Sequence, residues 1–214
     1  RIAKKINASS TKSMNGAFVA LRAKDVCRIL GLVDESAFED DNWHNWVVRS
    51  QANALFADPV NKKLYKQGIA RADVITVELG ENDMSALLIN KGEEIVKLIV
   101  GTITGTITDA AKAAELAGDF KTEFKELQDA IKARAGVQEA AQGVLCVLGE
   151  AADLGADFSK MAIEGLKFYK EMLQDSQKYF NMLMKYIDKH KKPGAIVVVG
   201  SLINVFDTLD TAYI

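Results

Sequence analysis

Two short runs of β-branched and apolar residues, Asp73-Val-Ile-Thr-Val-Glu-Leu79 and Ala195-Ile-Val-Val-Val-Gly200, constrain this chain more than any other feature. Each is too short for a stable helix, and each runs into a glycine. Mostly apolar runs of this length read as strands buried on both faces of a parallel sheet. Strand, helices and strand in that order form a crossover, so the pattern predicts an α/β fold with a parallel sheet flanked by helices.

The chain between the two runs is helical in pattern. A helix is expected over residues 84–90, and residues 92–190 read as almost continuous helix with a few breaks. Ile95, Ile99, Ile103 and Ile107 recur at four-residue spacing. The tandem Gly101-Thr-Ile-Thr-Gly105-Thr-Ile-Thr alternates like a strand, but its place inside that spacing favours helix-packing core. Further helices are expected over about 119–135, 137–152 and 158–190. In the last, Leu166, Tyr169, Leu173, Phe180, Leu183 and Ile187 share one stripe. Upstream, Val26, Ile29 and Leu30 mark a helix within 21–32 that Gly31 stops. An acidic, aromatic loop containing Asp40-Asp41-Asn42-Trp43-His44-Asn45-Trp46 follows, then a short helix over 46–57 ended by Asp58-Pro59.

A chain of 214 residues with 49% apolar and 26% charged residues can bury one sizeable core. Its net charge of −2, with both signs interspersed, argues against nucleic-acid binding. No run of about 18 uncharged apolar residues is present, so no membrane span is expected. Cys27 and Cys146 lack paired metal-ligand spacing, which argues against structural zinc and leaves either two buried free thiols or a disulfide. The chain opens at Arg1 without Met, and both ends read as cut from something longer.

Ligands in open parallel sheets sit beyond the carboxyl ends of the strands. Here those ends are Gly80-Glu81-Asn82-Asp83 and Gly200-Ser201-Leu202-Ile203-Asn204. At the first, Gly80 permits a sharp turn and Asn82 offers an amide donor suited to a developing oxyanion. Asp83 is suited to hold the turn by accepting backbone N–H groups at the start of the next helix. Trp43, His44, Asn45 and Trp46 either line a pocket or anchor their loop, and His190 reads as a solvated residue at a lysine-rich helix end.

The segment Ala72-Asp73-Val-Ile-Thr-Val-Glu-Leu-Gly80-Glu-Asn82-Asp83-Met resembles the third conserved block of the SGNH (GDSL-like) hydrolases. The segment Asn15-Gly-Ala-Phe-Val-Ala-Leu-Arg22-Ala-Lys-Asp25-Val resembles the second block. The stretch from Tyr179 to Gly200 is similar to the family's helix and following strand. The resemblance implies a flavodoxin-like three-layer fold, here a single partial domain over 1–214 with a helical insertion at about 92–165. It implies an oxyanion hole formed by the Asn82 side chain and the backbone N–H of Ala20 or Gly16, with Gly80 and Asp83 supporting the turn.

The family's Gly-Asp-Ser nucleophile block and its Asp-x-x-His block are absent from this sequence, so the chain alone is expected to be inactive. The parent protein would be a serine esterase acting on acyl or acetyl esters, carbohydrate- or lipid-borne, with no metal or organic cofactor. The family's many secreted bacterial members turn the expected location toward the extracellular. The rival reading is a non-catalytic interaction module on a degenerate hydrolase scaffold.

Overall fold

The computed structural model of the protein describes residues 21–50, 59–79 and 81–200. Of these, 77% are helical, and the only strands among them are a single parallel pair. The helices are α1 (Ala23–Leu30), α2 (Asn42–Ser50), α3 (Pro59–Arg71), α4 (Glu81–Asn90), α5 (Gly92–Thr106), α6 (Ala110–Ala133), α7 (Val137–Asp153) and α8 (Ser159–His190). The strands are β1 (Val74–Val77) and β2 (Ile196–Val199), and a 3₁₀ turn covers Glu35–Phe38.

The expected three-layer α/β sheet is therefore corrected. Two four-residue strands give one ladder, too narrow to carry a layer of helices on each face. Nor are the strands buried on both faces: Ile196, Val198 and Val199 are exposed, and Val77 is the fully covered member of β1. The pairing itself is parallel, with Val74 opposite Ile196 and Val77 opposite Val199. The ladder is extended by Ile196 N–H donating to the Asp73 carbonyl and Gly200 N–H to the Val77 carbonyl, both at 2.9 Å. An ion pair between Lys192 and Asp73 closes its amino end.

The chain divides into two compact units. The first comprises Arg1–Glu39, His44–Asn82 and Ser176–Ile214, and the second Asp40–Trp43 and Asp83–Asp175. In the first unit, α1 packs on α3 and buries Val26, Cys27, Ile29 and Leu30. Gly31, at φ 75°, ends α1 in a left-handed turn: its N–H returns to the Arg28 carbonyl and that of Leu32 to the Cys27 carbonyl. The flexible end of Lys62 on α3 lies beside Gly31 and would have to swing aside for a side chain there. Pro59 opens α3, where the missing N–H costs no intrahelical bond. Residues 51–57 of the helix expected over 46–57 lie outside the described residues.

The second unit is built on α6. Ala113, Leu116, Ala117, Phe120, Phe124, Leu127 and Ile131 form one buried stripe at three- and four-residue spacing, flanked by α5 and α7. On α5, Ile99 and Ile103 are buried as the isoleucine spacing predicts, as is Ile107 just past its end, while Ile95 is half-buried. Gly101 and Gly105 are exposed with open space beside them, so they are not packing positions. The stripe expected along α8 is also corrected. Tyr179, Leu183 and Ile187 are buried in its second half, whereas Leu166 and Leu173 are exposed in its first.

Candidate functional site

β1 delivers the chain to the predicted site. After Val77 come Glu78 and Leu79, and α4 begins at Glu81, three residues earlier than its pattern suggests. Asn82 and Asp83 thus stand in the first turn of a helix rather than in an open turn. A carboxylate there meets the positive end of the helix dipole, and Asp83 is half-buried in that turn. Asn82 is half-buried, and its Nδ2 donates to the Leu21 carbonyl at 3.0 Å. The structure therefore places Asn82 against the residue that directly follows Ala20 in the chain. Ala20 itself, Gly16, Gly80 and Ser201 lie outside the described residues.

Next to this contact lies a charged cluster that sequence reasoning missed. Arg22 precedes α1, and Asp25 in the first turn is fully buried. Asp25 Oδ2 accepts from the Arg22 backbone N–H at 2.9 Å and from Arg22 Nε at 3.0 Å. Its Oδ1 accepts from a terminal guanidinium nitrogen of Arg22 at 3.3 Å. His44 Nδ1 lies 2.9 Å from the same Oδ1. An ionised carboxylate only accepts, so Nδ1 carries the hydrogen in that bond. The other ring nitrogen stands 3.4 Å from Glu35 Oε1, and the imidazole stacks on Phe38 with centroids 3.8 Å apart.

Burial by itself raises the Asp25 carboxyl, but the hydrogen bond from His44 and the Arg22 charge outweigh it and hold it below its ordinary value. Glu35 is likewise lowered, chiefly by its hydrogen bond from Arg28. The sequence carried one signal for this cluster: an acid three residues after Arg22 at a helix start, the spacing at which a side chain reaches back to cap the first N–H.

His44 and Trp43 belong to α2, not to a loop, and both are almost completely buried. Asn90 accepts from the Trp43 N–H at 2.8 Å and donates to Asp41 at 3.0 Å. These bonds make the segment an anchor rather than a pocket lining. At the other end of the chain, His190 is exposed, bonded through Nδ1 to the Tyr186 carbonyl and stacked on that ring.

The cysteines are both free, with Cys27 buried and Cys146 exposed, which corrects the expectation of two buried thiols. Among the described residues no group of three or more His, Cys, Asp or Glu side chains is placed to hold a metal ion. No helix among them is long and apolar enough to cross a membrane. A surface depression of about 480 Å³ follows one face of α3, where Lys62, Lys63, Lys66 and Arg71 gather. It includes none of the predicted site residues and reads as a solvated cationic face.

No protein-family model matches this chain, and no curated protein or solved structure is significantly similar to it.

Proposed function

We propose that this chain supplies the oxyanion-binding side of a serine ester hydrolase whose nucleophile and general base come from segments outside these 214 residues. The observation that carries the reading is the 3.0 Å bond from Asn82 Nδ2 to the Leu21 carbonyl. It sets the asparagine picked out at the strand end beside the segment picked out for a backbone donor. The reading rests on this site and not on a fold, since one fold hosts many chemistries.

In the proposed reaction, a serine oxygen attacks an acyl or acetyl ester carbonyl, and the carbonyl oxygen gathers negative charge as the carbon becomes tetrahedral. An amide nitrogen carries two hydrogens. One fixes the Asn82 side chain to Leu21, and the other is left for the oxyanion, joined by the backbone N–H of Ala20 or Gly16. The carbonyl then re-forms as the ester C–O bond breaks, the alcohol leaving with the proton that the general base took from the serine. Water repeats the cycle on the acyl-enzyme, releasing the acid and restoring the serine hydroxyl.

The test is Asn82→Ala in the complete natural protein, assayed on p-nitrophenyl acetate. Loss of one oxyanion donor typically lowers kcat about 10²–10³-fold, or about 2.7–4 kcal/mol, and folding should be preserved. Unchanged turnover would overturn the assignment. Complete absence of ester turnover in the unaltered protein would do the same, and would turn attention to the interaction-module reading.

A further inference from the structure

The peptide bond joining Leu21 to Arg22 is gripped at both of its polar ends. Its carbonyl accepts from Asn82 Nδ2 at 3.0 Å, and its N–H donates to Asp25 Oδ2 at 2.9 Å. A peptide unit is planar and stiff, so turning it to loosen one of these bonds loosens the other. Asp25 cannot easily follow such a turn. Arg22 Nε, a terminal Arg22 nitrogen and His44 Nδ1 hold its two oxygens from other directions, and no part of its side chain reaches solvent.

We propose that Asp25 is a positioning residue for Asn82: its immobilised carboxylate orients the Leu21 carbonyl, which in turn fixes the Asn82 amide. The terminal torsion of an asparagine is broad and soft when nothing holds it. With one amide hydrogen bound to a fixed carbonyl, the planar group has its second hydrogen set in direction as well. A donor that needs no reorganisation when charge develops is what oxyanion stabilisation requires. The catalytic consequence rests on the ester-hydrolase reading, whereas the clamp is a geometric claim that stands apart from it.

The experiment compares Asp25→Asn, Asn82→Ala and the double variant in the complete natural protein, by turnover and by NMR of the Asn82 side-chain amide. Asp25→Asn keeps the shape of the carboxylate but removes its charge and one of its acceptors. The expected result is a shifted Asn82 amide signal with hydrogen exchange at least about 10-fold faster. Turnover kcat should fall about 10- to 100-fold with KM within about twofold, as small misplacements of reacting groups do. In the Asn82→Ala background the same substitution should cost nothing more.

An unmoved Asn82 signal in folded Asp25→Asn protein overturns the proposal, and so do fully additive effects of the two substitutions. If Asn82→Ala alone leaves turnover intact, the hydrolase reading falls while the amide signal still decides the clamp. Should Asp25→Asn not fold, the unaltered protein decides. A scalar coupling across the bond between the Asn82 side-chain nitrogen and the Leu21 carbonyl carbon is expected, and its absence overturns the proposal.

Discussion

Asp25 and Cys27 sit two residues apart in α1, and burial acts on both, yet the outcomes are opposite. The Asp25 carboxylate meets Arg22 and His44, and these partners overcome desolvation. The Cys27 thiol instead faces the Tyr179 carbonyl, a neutral acceptor, at 3.4 Å. Burial, reinforced by the nearby Asp25 charge, pushes the thiol up to about 12. At pH 8 such a thiol holds on the order of a thousandth or less of the thiolate of an ordinary one. Iodoacetamide at pH 8 should therefore modify exposed Cys146 in the native protein and spare Cys27 until denaturant is added, as peptide mass mapping would report. Equal labelling of both would contradict this environment. The Asp25 carboxyl titrates lower folded than unfolded, so between those two values the unfolded chain binds more protons. Its stabilising contribution is full above the ordinary carboxylate value of about 3.9 and is lost as pH falls through the lower folded one. Asp25→Ala should cost about 3–5 kcal/mol at pH 7, by leaving Arg22 buried without this partner. Urea midpoints at pH 7 and pH 3 should show the difference shrinking in acid.

Short-range chemistry explains most of the helix boundaries. Gly31 was legible as a stop because only a residue tolerating positive φ closes a helix with the paired return bonds seen there. The tandem Gly101 to Thr108 segment alternates like a strand but folds mostly as the last turns of α5. Thr102, Thr104 and Thr106 each donate their hydroxyl to the carbonyl four residues back, satisfying the polar groups within the helix. Asp109 then caps α6, its Oδ1 accepting from the N–H groups of Ala111 and Lys112 at 3.0 Å each. Asp109→Ala should destabilise the second unit by about 1 kcal/mol, read as a lower urea midpoint with an unchanged slope. A midpoint unchanged within error would show that the cap carries no net stability. The α2 start was not legible, because Asn42 to Trp46 has too few residues for a period and its buried partners lie far along the chain.

At the scale of the molecule, each compact unit relies on its own buried residues. Phe120 is fully buried in the stripe of α6 and stacks on Phe124 with centroids 5.7 Å apart. Phe120→Ala should cost about 3–5 kcal/mol and lower the thermal midpoint of the second unit, measured by circular dichroism. A loss below about 1 kcal/mol would mean that this stripe is not the unit's core. By itself the sequence determined the helices of residues 92–190, the two strands and the Gly31 stop. These follow from spacing, side-chain branching and backbone freedom, which act over a few residues. It did not determine how much sheet would form: a run of valines fits a buried strand, but only neighbouring chain can bury it, and Ile196, Val198 and Val199 remain exposed. Nor could it show that Asp25 and His44, 19 positions apart, meet at 2.9 Å, or that Asn82 reaches back 61 positions to Leu21. Those contacts are made by packing, because a charged or amide group is positioned by whichever partner the folded chain brings within hydrogen-bond reach.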